Sequence, residues 1–281
     1  MKKFIKGLTP PFILQLSQAM FRFGKGTGPY NMWTGNYTSW KEAARNSESY
    51  DLPVILEKVK KATLAVKNGE AAYERDSVLF SKAAYNWPLV SILLKIAQEN
   101  HNAINLIDFG GSLGSSYFQN RNFLNKLSRF NWMVVEQDHF VSVGNEHIED
   151  AVLRFSSDLQ KAKDRSGANT LLLSSVLQYL EKPYEFLDGL ESDPFEYLVV
   201  DRTIFVDLPE DRITVQSVPE EIYKASYPCW MLSRSKFLEY MDKQYNLHID
   251  FDPYPGLTID LGDARGFCEG FFFQRKKRNE N

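Results

Sequence analysis

Leu106-Ile107-Asp108-Phe109-Gly110-Gly111-Ser112-Leu113-Gly114-Ser115-Ser116-Tyr117 decides the fold, because it reads as a buried strand, a glycine turn and the first turn of a helix. Asn105 to Phe109 is short and mostly apolar, which suits a central parallel strand covered on both faces. Gly110, Gly111 and Gly114 let the backbone bend and approach a ligand without a Cβ in the way, while Ser115 and Ser116 can cap a helix. The spacing then separates three chemistries. Counted from Gly110, the positions a dinucleotide fingerprint reserves for glycine fall on Ser112 and Ser115, and no Lys-Ser or Lys-Thr follows the turn as a phosphate loop requires. Gly110-Gly111-Ser112-Leu113-Gly114 does match a G-x-S-x-G nucleophile elbow, so Ser112 as an acyl-transfer nucleophile is a competing reading. No HGGG-type oxyanion segment lies upstream, and few strand candidates precede residue 100.

Two carboxylates favour a different ligand. Asp108 stands two residues before the first glycine, and Glu136-Gln137 ends the next strand candidate, Trp132 to Glu136, where an acid can take both hydroxyls of a ribose. Asp108, the glycine turn and Glu136 together resemble the S-adenosylmethionine site of class I methyltransferases, with Ser112 in place of the middle glycine of their G-x-G-x-G.

Composition narrows the class of protein. At 281 residues, 43% hydrophobic and 25% charged, the chain can hold one sizeable α/β core plus an appended segment. A net charge of -3 offers no field for a polyanion, so nucleic acid is not expected as a partner. Cys229 and Cys268 alone exclude a disulfide scaffold or a cysteine zinc cluster and fit a reducing cytoplasm. The four histidines lack zinc-binding spacing, so no metal is expected.

Residues 1–85 read as a helical, aromatic cap and 86–281 as the cofactor-binding domain. The segment Met1 to Met20 is split by Pro10-Pro11, with no cleavage site following, and reads as a helix on the core or an interfacial anchor that could contact a membrane peripherally. Phe23 to Tyr37 reads as a glycine- and aromatic-rich loop. Tyr30, Trp33, Tyr37 and Trp40 are placed to stack on a ligand, and the stretch is expected to close over the cofactor. Helical spacing recurs over Leu52–Gly69 and Trp87–Glu99. After the turn, strands near 132–136, 152–155, 170–174 and 197–201 alternate or end with helices near 117–127, 176–189 and 233–245, which predicts a doubly wound parallel sheet. Leu247–Phe251 and Cys268–Gln274 add an antiparallel edge, giving seven strands.

Ligands in such sheets sit at the carboxyl ends of the strands. Those ends nominate Asp158 and Leu159 for an adenine, Ser174 beside the cofactor, and Gln178 and Tyr179 facing the reacting centre. Asp201 and Arg202 end the fifth strand, read either as a structural ion pair or as a substrate site. The long segment Ile204 to Trp230 adds Gln216 and Tyr227 on the acceptor side with Tyr37 and Trp40.

Thr34 to Ala43, Tyr73 to Ser77, Asp108 to Gly114, Ser174 to Leu180, Asp201-Arg202-Thr203 and Ile213 to Pro219 with Ser226-Tyr227-Pro228 resemble a bacterial family of S-adenosylmethionine-dependent methyltransferases associated with surface-polysaccharide gene clusters. The resemblance covers residues 33 to 273 and departs at Ile204, where the family often carries a proline. It implies a class of enzyme and not a substrate; the residues are read here as a cytoplasmic methyltransferase acting on an oxygen, less readily a nitrogen, of a glycan or its precursor. Tyr179 would orient the acceptor, because a phenol of ordinary pKa is a poor base at neutral pH, and Asp201 would remove the proton. Arg202 would hold an acidic part of the acceptor. A catalytically silent binding protein on the same fold, with no protein partner evident, is the third reading.

Overall fold

The computed structural model describes residues 32–47, 52–75, 77–218, 225–253 and 256–277. The expected anchor at Met1 to Met20, and Tyr30, lie outside these residues. Among the described residues no helix is long and apolar enough to cross a membrane.

Seven strands form the expected doubly wound sheet. β4 (Ala103–Phe109), β5 (Arg129–Val135), β6 (Leu153–Ser156), β7 (Thr170–Ser174) and β8 (Tyr197–Val206) are parallel. β13 (Arg265–Arg275) runs antiparallel to β8, and β11 (Tyr245–Phe251) pairs antiparallel with β13. Across the sheet the order is β6-β5-β4-β7-β8-β13-β11, the arrangement of the class I methyltransferase fold. The expected antiparallel strand therefore lies one place in from the edge that β11 closes. The order in which strands are added reverses at β4, with β5 and β6 on one side and β7 and β8 on the other, so the carboxyl ends of β4 and β7 open the crevice where such sheets bind ligands.

Both faces are covered, which is why the central strands are almost wholly apolar. Leu171, Leu172 and Leu173 in β7 are fully buried. Helix α3 (Trp87–Glu99) turns Leu89, Val90, Ile92, Leu93, Ile96 and Ala97 inward, each Leu or Ile contributing roughly 1.5–3 kcal/mol. Its predecessor α2 (Leu52–Lys67) and its successor α4 (Ser115–Leu124) bury Ile55, Val59, Val66 and Tyr117, Phe118, Leu124 in the same core as α3.

The structure departs from the sequence reading in several places, among them strands within the stretch expected as a helical cap. The helix expected over 176–189 is a short turn at Leu177–Tyr179 followed by Pro183–Asp188, because Pro183 lacks the N–H that would continue a helix and serves as its first residue instead. The loop expected over 23–37 contains a strand, β1 (Trp33–Tyr37), within its described part. β1 pairs antiparallel with β9 (Arg212–Val218), and β9 pairs antiparallel with β10 (Ala225–Ser233). Among the described residues this second sheet joins the first where Leu232 and Ser233 meet Phe205 and Val206, four and five residues past the point where β7 stops following β8. It therefore stands past the carboxyl end of β7, alongside the last residues of β8. A hairpin of β2 (Tyr73–Arg75) and β3 (Val78–Phe80), closed by a ring stack of Tyr73 on Phe80 at 4.4 Å, lies against the start of α4.

Candidate functional site

The glycine turn is built around Asp108. A Cβ on Gly111 would sit 2.5 Å from the Asp108 carboxyl carbon, so the turn can cross that carboxylate only as glycine. Gly110 and Gly114 have φ of 73° and 91°, and Ser112 itself is held at 55°. Asp108 is 1% exposed and accepts one hydrogen bond, from Trp132 Nε1 at 3.1 Å. Burial pushes its pKa up to about 7, against the opposing pull of that hydrogen bond and of the Arg202 charge.

Glu136 closes the other side. Its Oε1 accepts from the Ser112 N–H at 3.3 Å and its Oε2 from the Gln137 N–H at 2.8 Å. Burial raises this carboxyl to about 7 as well, opposed by the two backbone donors. Each oxygen therefore keeps lone-pair capacity for a further donor. Asp158 spends one oxygen on the Lys161 N–H as the cap of the helix Leu159–Ser166, and Leu159 is buried beside it.

A second polar cluster lies where β7 and β8 end. Ser174 Oγ donates to Asp201 Oδ2 at 2.6 Å and accepts from Arg202 Nε and Nη2 at 3.2 and 3.0 Å. Arg202 Nε is also 3.4 Å from Asp201 Oδ2, so the internal ion-pair reading of this dipeptide is the arrangement seen. β8 carries one residue more than β13 between the pairs Val200–Phe271 and Thr203–Glu269, and Arg202 takes up the difference with a φ of 49°. Such a bulge re-aims side chains. Gln178, in the turn after β7, donates to Ser175 Oγ and to the Arg202 carbonyl, each at 3.2 Å.

The nominated acceptor-side residues separate into two groups. Trp33, Gln216 and Tyr227 are register partners across β1, β9 and β10 and so share one face. Tyr179 packs against that face, giving its hydroxyl proton to Gln216 Oε1 at 2.8 Å and meeting the Tyr227 ring edge-on at 5.7 Å. Burial holds the Tyr179 phenol well above its ordinary pKa. Tyr37 and Trp40 lie on the opposite face with Ile213 and Val215, Trp40 stacked on Trp230 at 6.0 Å. The aromatic stretch is thus a strand and a short helix, α1 (Trp40–Arg45), fastened to the second sheet.

Two contributors were not singled out from the sequence. Asn86 donates from Nδ2 to Asp201 Oδ1 at 3.0 Å while its Oδ1 caps α3 through the Leu89 N–H. Asn before Trp-Pro is a legible helix start, but nothing local announces its bond to Asp201. Glu74 is buried and accepts from Ser115 Oγ and from the Ser77 N–H, tying the β2–β3 hairpin to the first turn of α4.

The hydrolase reading of Ser112 finds no partner here. Among the described residues no histidine is hydrogen-bonded to Ser112; His147 meets Glu146, His248 packs on Phe272, and His139 lies against Phe140. No group of metal-ligating side chains occurs among the described residues either.

No protein-family model matches the chain, and no curated protein does. Solved structures similar to it include two methyltransferases and a domain bound to S-adenosylhomocysteine. The N-terminal domain of EvdMO1, in the presence of S-adenosylhomocysteine and D-fucose, shares 10% identity over 78% of this chain and 97% of its own, with a TM-score of 0.45. Magnesium protoporphyrin IX methyltransferase from Synechocystis with bound S-adenosylhomocysteine shares 10% over 80% and 100%, TM-score 0.41. CalS10, an amino pentose methyltransferase from Micromonospora echinaspora, shares 10% over 69% and 92%, TM-score 0.38. The class I methyltransferase fold assigned above rests on this chain's own strand order.

Proposed function

We propose that the protein is an S-adenosylmethionine-dependent methyltransferase acting on a sugar hydroxyl of a bacterial surface glycan or its precursor. The observation that carries the reading is the convergence of two buried carboxylates, Asp108 and Glu136, on one glycine turn at the carboxyl ends of adjacent parallel strands. Asp108 and Asp201 lie near the Arg202 guanidinium, and Glu136 adds a further buried carboxyl beside Asp108, a set of acids suited to a cationic ligand.

The residues present fit this cofactor. Asp108 would face the amino-acid end, Glu136 would take the ribose hydroxyls, and Gly110, Gly111, Ser112 and Gly114 would let the chain pass close by. Asp158, Leu159 and Gln137 flank the adenine side, with Ser174 below. When bound, the cofactor supplies an electrophilic methyl group, whose bond to sulfur breaks as the new bond to oxygen forms. The protein has to align the two reactants, exclude water and take up the hydroxyl proton. Asp201 is the assigned proton acceptor, held in place by Ser174, Asn86 and Arg202. Tyr179, Gln216 and Tyr227 form the wall of the acceptor side, while the opposite-face packing of Tyr37 and Trp40 supports a supporting role for those two.

Calorimetry with S-adenosylhomocysteine tests the reading: micromolar binding is expected, and a wild-type protein that binds neither it nor S-adenosylmethionine refutes it. Unchanged methylation of the surface glycan after gene deletion would refute the substrate class alone.

A further inference from the structure

Gln178 is 1% exposed and its hydrogen bonding is half complete. Its Nε2 is held by Ser175 Oγ and by the carbonyl of Arg202. A carbonyl can only accept, so the second contact fixes which end of the amide is the nitrogen. Oε1 is the end that remains, and it is buried with no hydrogen-bond partner among the described residues. A buried amide oxygen left in that state carries its whole desolvation cost, so a donor is wanted there.

The clamp on the other end makes the arrangement specific. Both residues that grip Nε2 have left-handed backbones, Ser175 at φ 57° and Arg202 at φ 49°, and Arg202 is the extra residue of the bulge in β8. Strained backbone persists where the surroundings over-determine it, commonly at ligand sites. Here it presents two acceptors to one amide nitrogen and thereby fixes the direction of the opposite oxygen, in the turn that follows β7. Tyr179 cannot share this task, because its hydroxyl proton is committed to Gln216.

We infer that Gln178 Oε1 accepts a hydrogen bond from a second hydroxyl of the acceptor, one neighbouring the reacting oxygen, making Gln178 a residue that positions the acceptor and selects for one bearing that further donor. The inference rests on the methyltransferase reading. The reacting hydroxyl then keeps its own proton for Asp201, and a lone pair on its oxygen is left free to attack.

The test uses the full chain, with Gln178→Leu, which loses both ends of the amide, and Gln178→Glu, which keeps an oxygen and loses the donor to Arg202. S-adenosylhomocysteine affinity is measured first by calorimetry and is expected to stay within about twofold of wild type in both. A panel of free and nucleotide-linked hexoses and 6-deoxyhexoses is then screened by saturation-transfer NMR against the S-adenosylhomocysteine-saturated protein, and the tightest is titrated. The expected result is at least tenfold weaker sugar binding by Gln178→Leu, with Gln178→Glu at least fivefold better than Gln178→Leu. Equal sugar affinity in wild type and Gln178→Leu, equal loss in the two variants, or no sugar bound by wild type overturns the inference. A selective loss of S-adenosylhomocysteine affinity in Gln178→Leu also overturns it, because Oε1 would then serve the cofactor. Absence of S-adenosylhomocysteine binding by the wild type refutes the methyltransferase reading instead.

Discussion

The glycine turn and the second sheet are two ways of building half a site. At the turn, Asp108, Gly110, Gly111, Ser112 and Glu136 are neighbours in sequence or lie at the ends of adjacent strands, and their geometry is backbone geometry. On the second sheet, Trp33, Tyr179, Gln216 and Tyr227 come from four separated stretches and meet only through strand pairing and side-chain packing. The first half tolerates almost no change of residue because an added atom meets a buried carboxylate. The second half is set by distributed packing, so single changes there should act more gently and leave the cofactor side alone.

Gly111→Ala should break the contrast most severely if it is wrong. The added Cβ, 2.5 Å from the Asp108 carboxyl carbon, forces the turn or the carboxylate to move, with an overpacking cost of about 1–3 kcal/mol. About hundredfold weaker S-adenosylhomocysteine binding, the upper end of that cost, is expected by calorimetry; wild-type affinity would remove the turn from the site. Glu136→Ala comes next, at ten- to hundredfold weaker binding, corresponding to about 1.5–3 kcal/mol for a lost hydrogen bond to a charged group.

The two carboxyls also predict an unusual pH dependence. Burial raises both Asp108 and Glu136 to about 7, above their unfolded values, so between roughly pH 4 and 7 the folded chain holds protons that the unfolded chain has released. Their contribution to stability therefore falls as pH rises through that window. A cation bound at Asp108 favours its ionised form, so cofactor affinity should rise as pH climbs from 6 to 8, and the rise should flatten in Asp108→Asn. Melting temperature and calorimetry across that range check both signs, and an affinity that falls with pH would contradict the placement of the cation.

The acceptor half should respond less. Tyr179→Phe removes one buried hydrogen bond and leaves Gln216 Oε1 without its donor, costing about 1–3 kcal/mol of stability with cofactor affinity unchanged. Trp40→Leu is the smallest effect on function. It removes the stack on Trp230 and should lower the melting temperature by a few degrees while leaving turnover per folded molecule intact. Intact melting with lost turnover would instead revive the aromatic stretch as a lid.

The chain's own order fixed the parallel core, the turn and its two carboxylates, because a central strand must be apolar on both faces and a tight turn needs glycine, and both constraints act within a few residues. Leu106 to Gly114 and Trp132 to Glu136 carry them in full. Tertiary structure alone decided that Asn86 reaches Asp201, that Gly111 is required by a side chain rather than by its own φ, and that Trp33 to Tyr37 becomes a strand. It also decided that Gln216 and Tyr227 share a face from which Tyr37 and Trp40 are excluded. These outcomes depend on which distant strand supplies hydrogen bonds and on a register shift between Thr34 and Tyr37 in β1, and pairing partners and bulges leave no periodic trace in the residues that obey them.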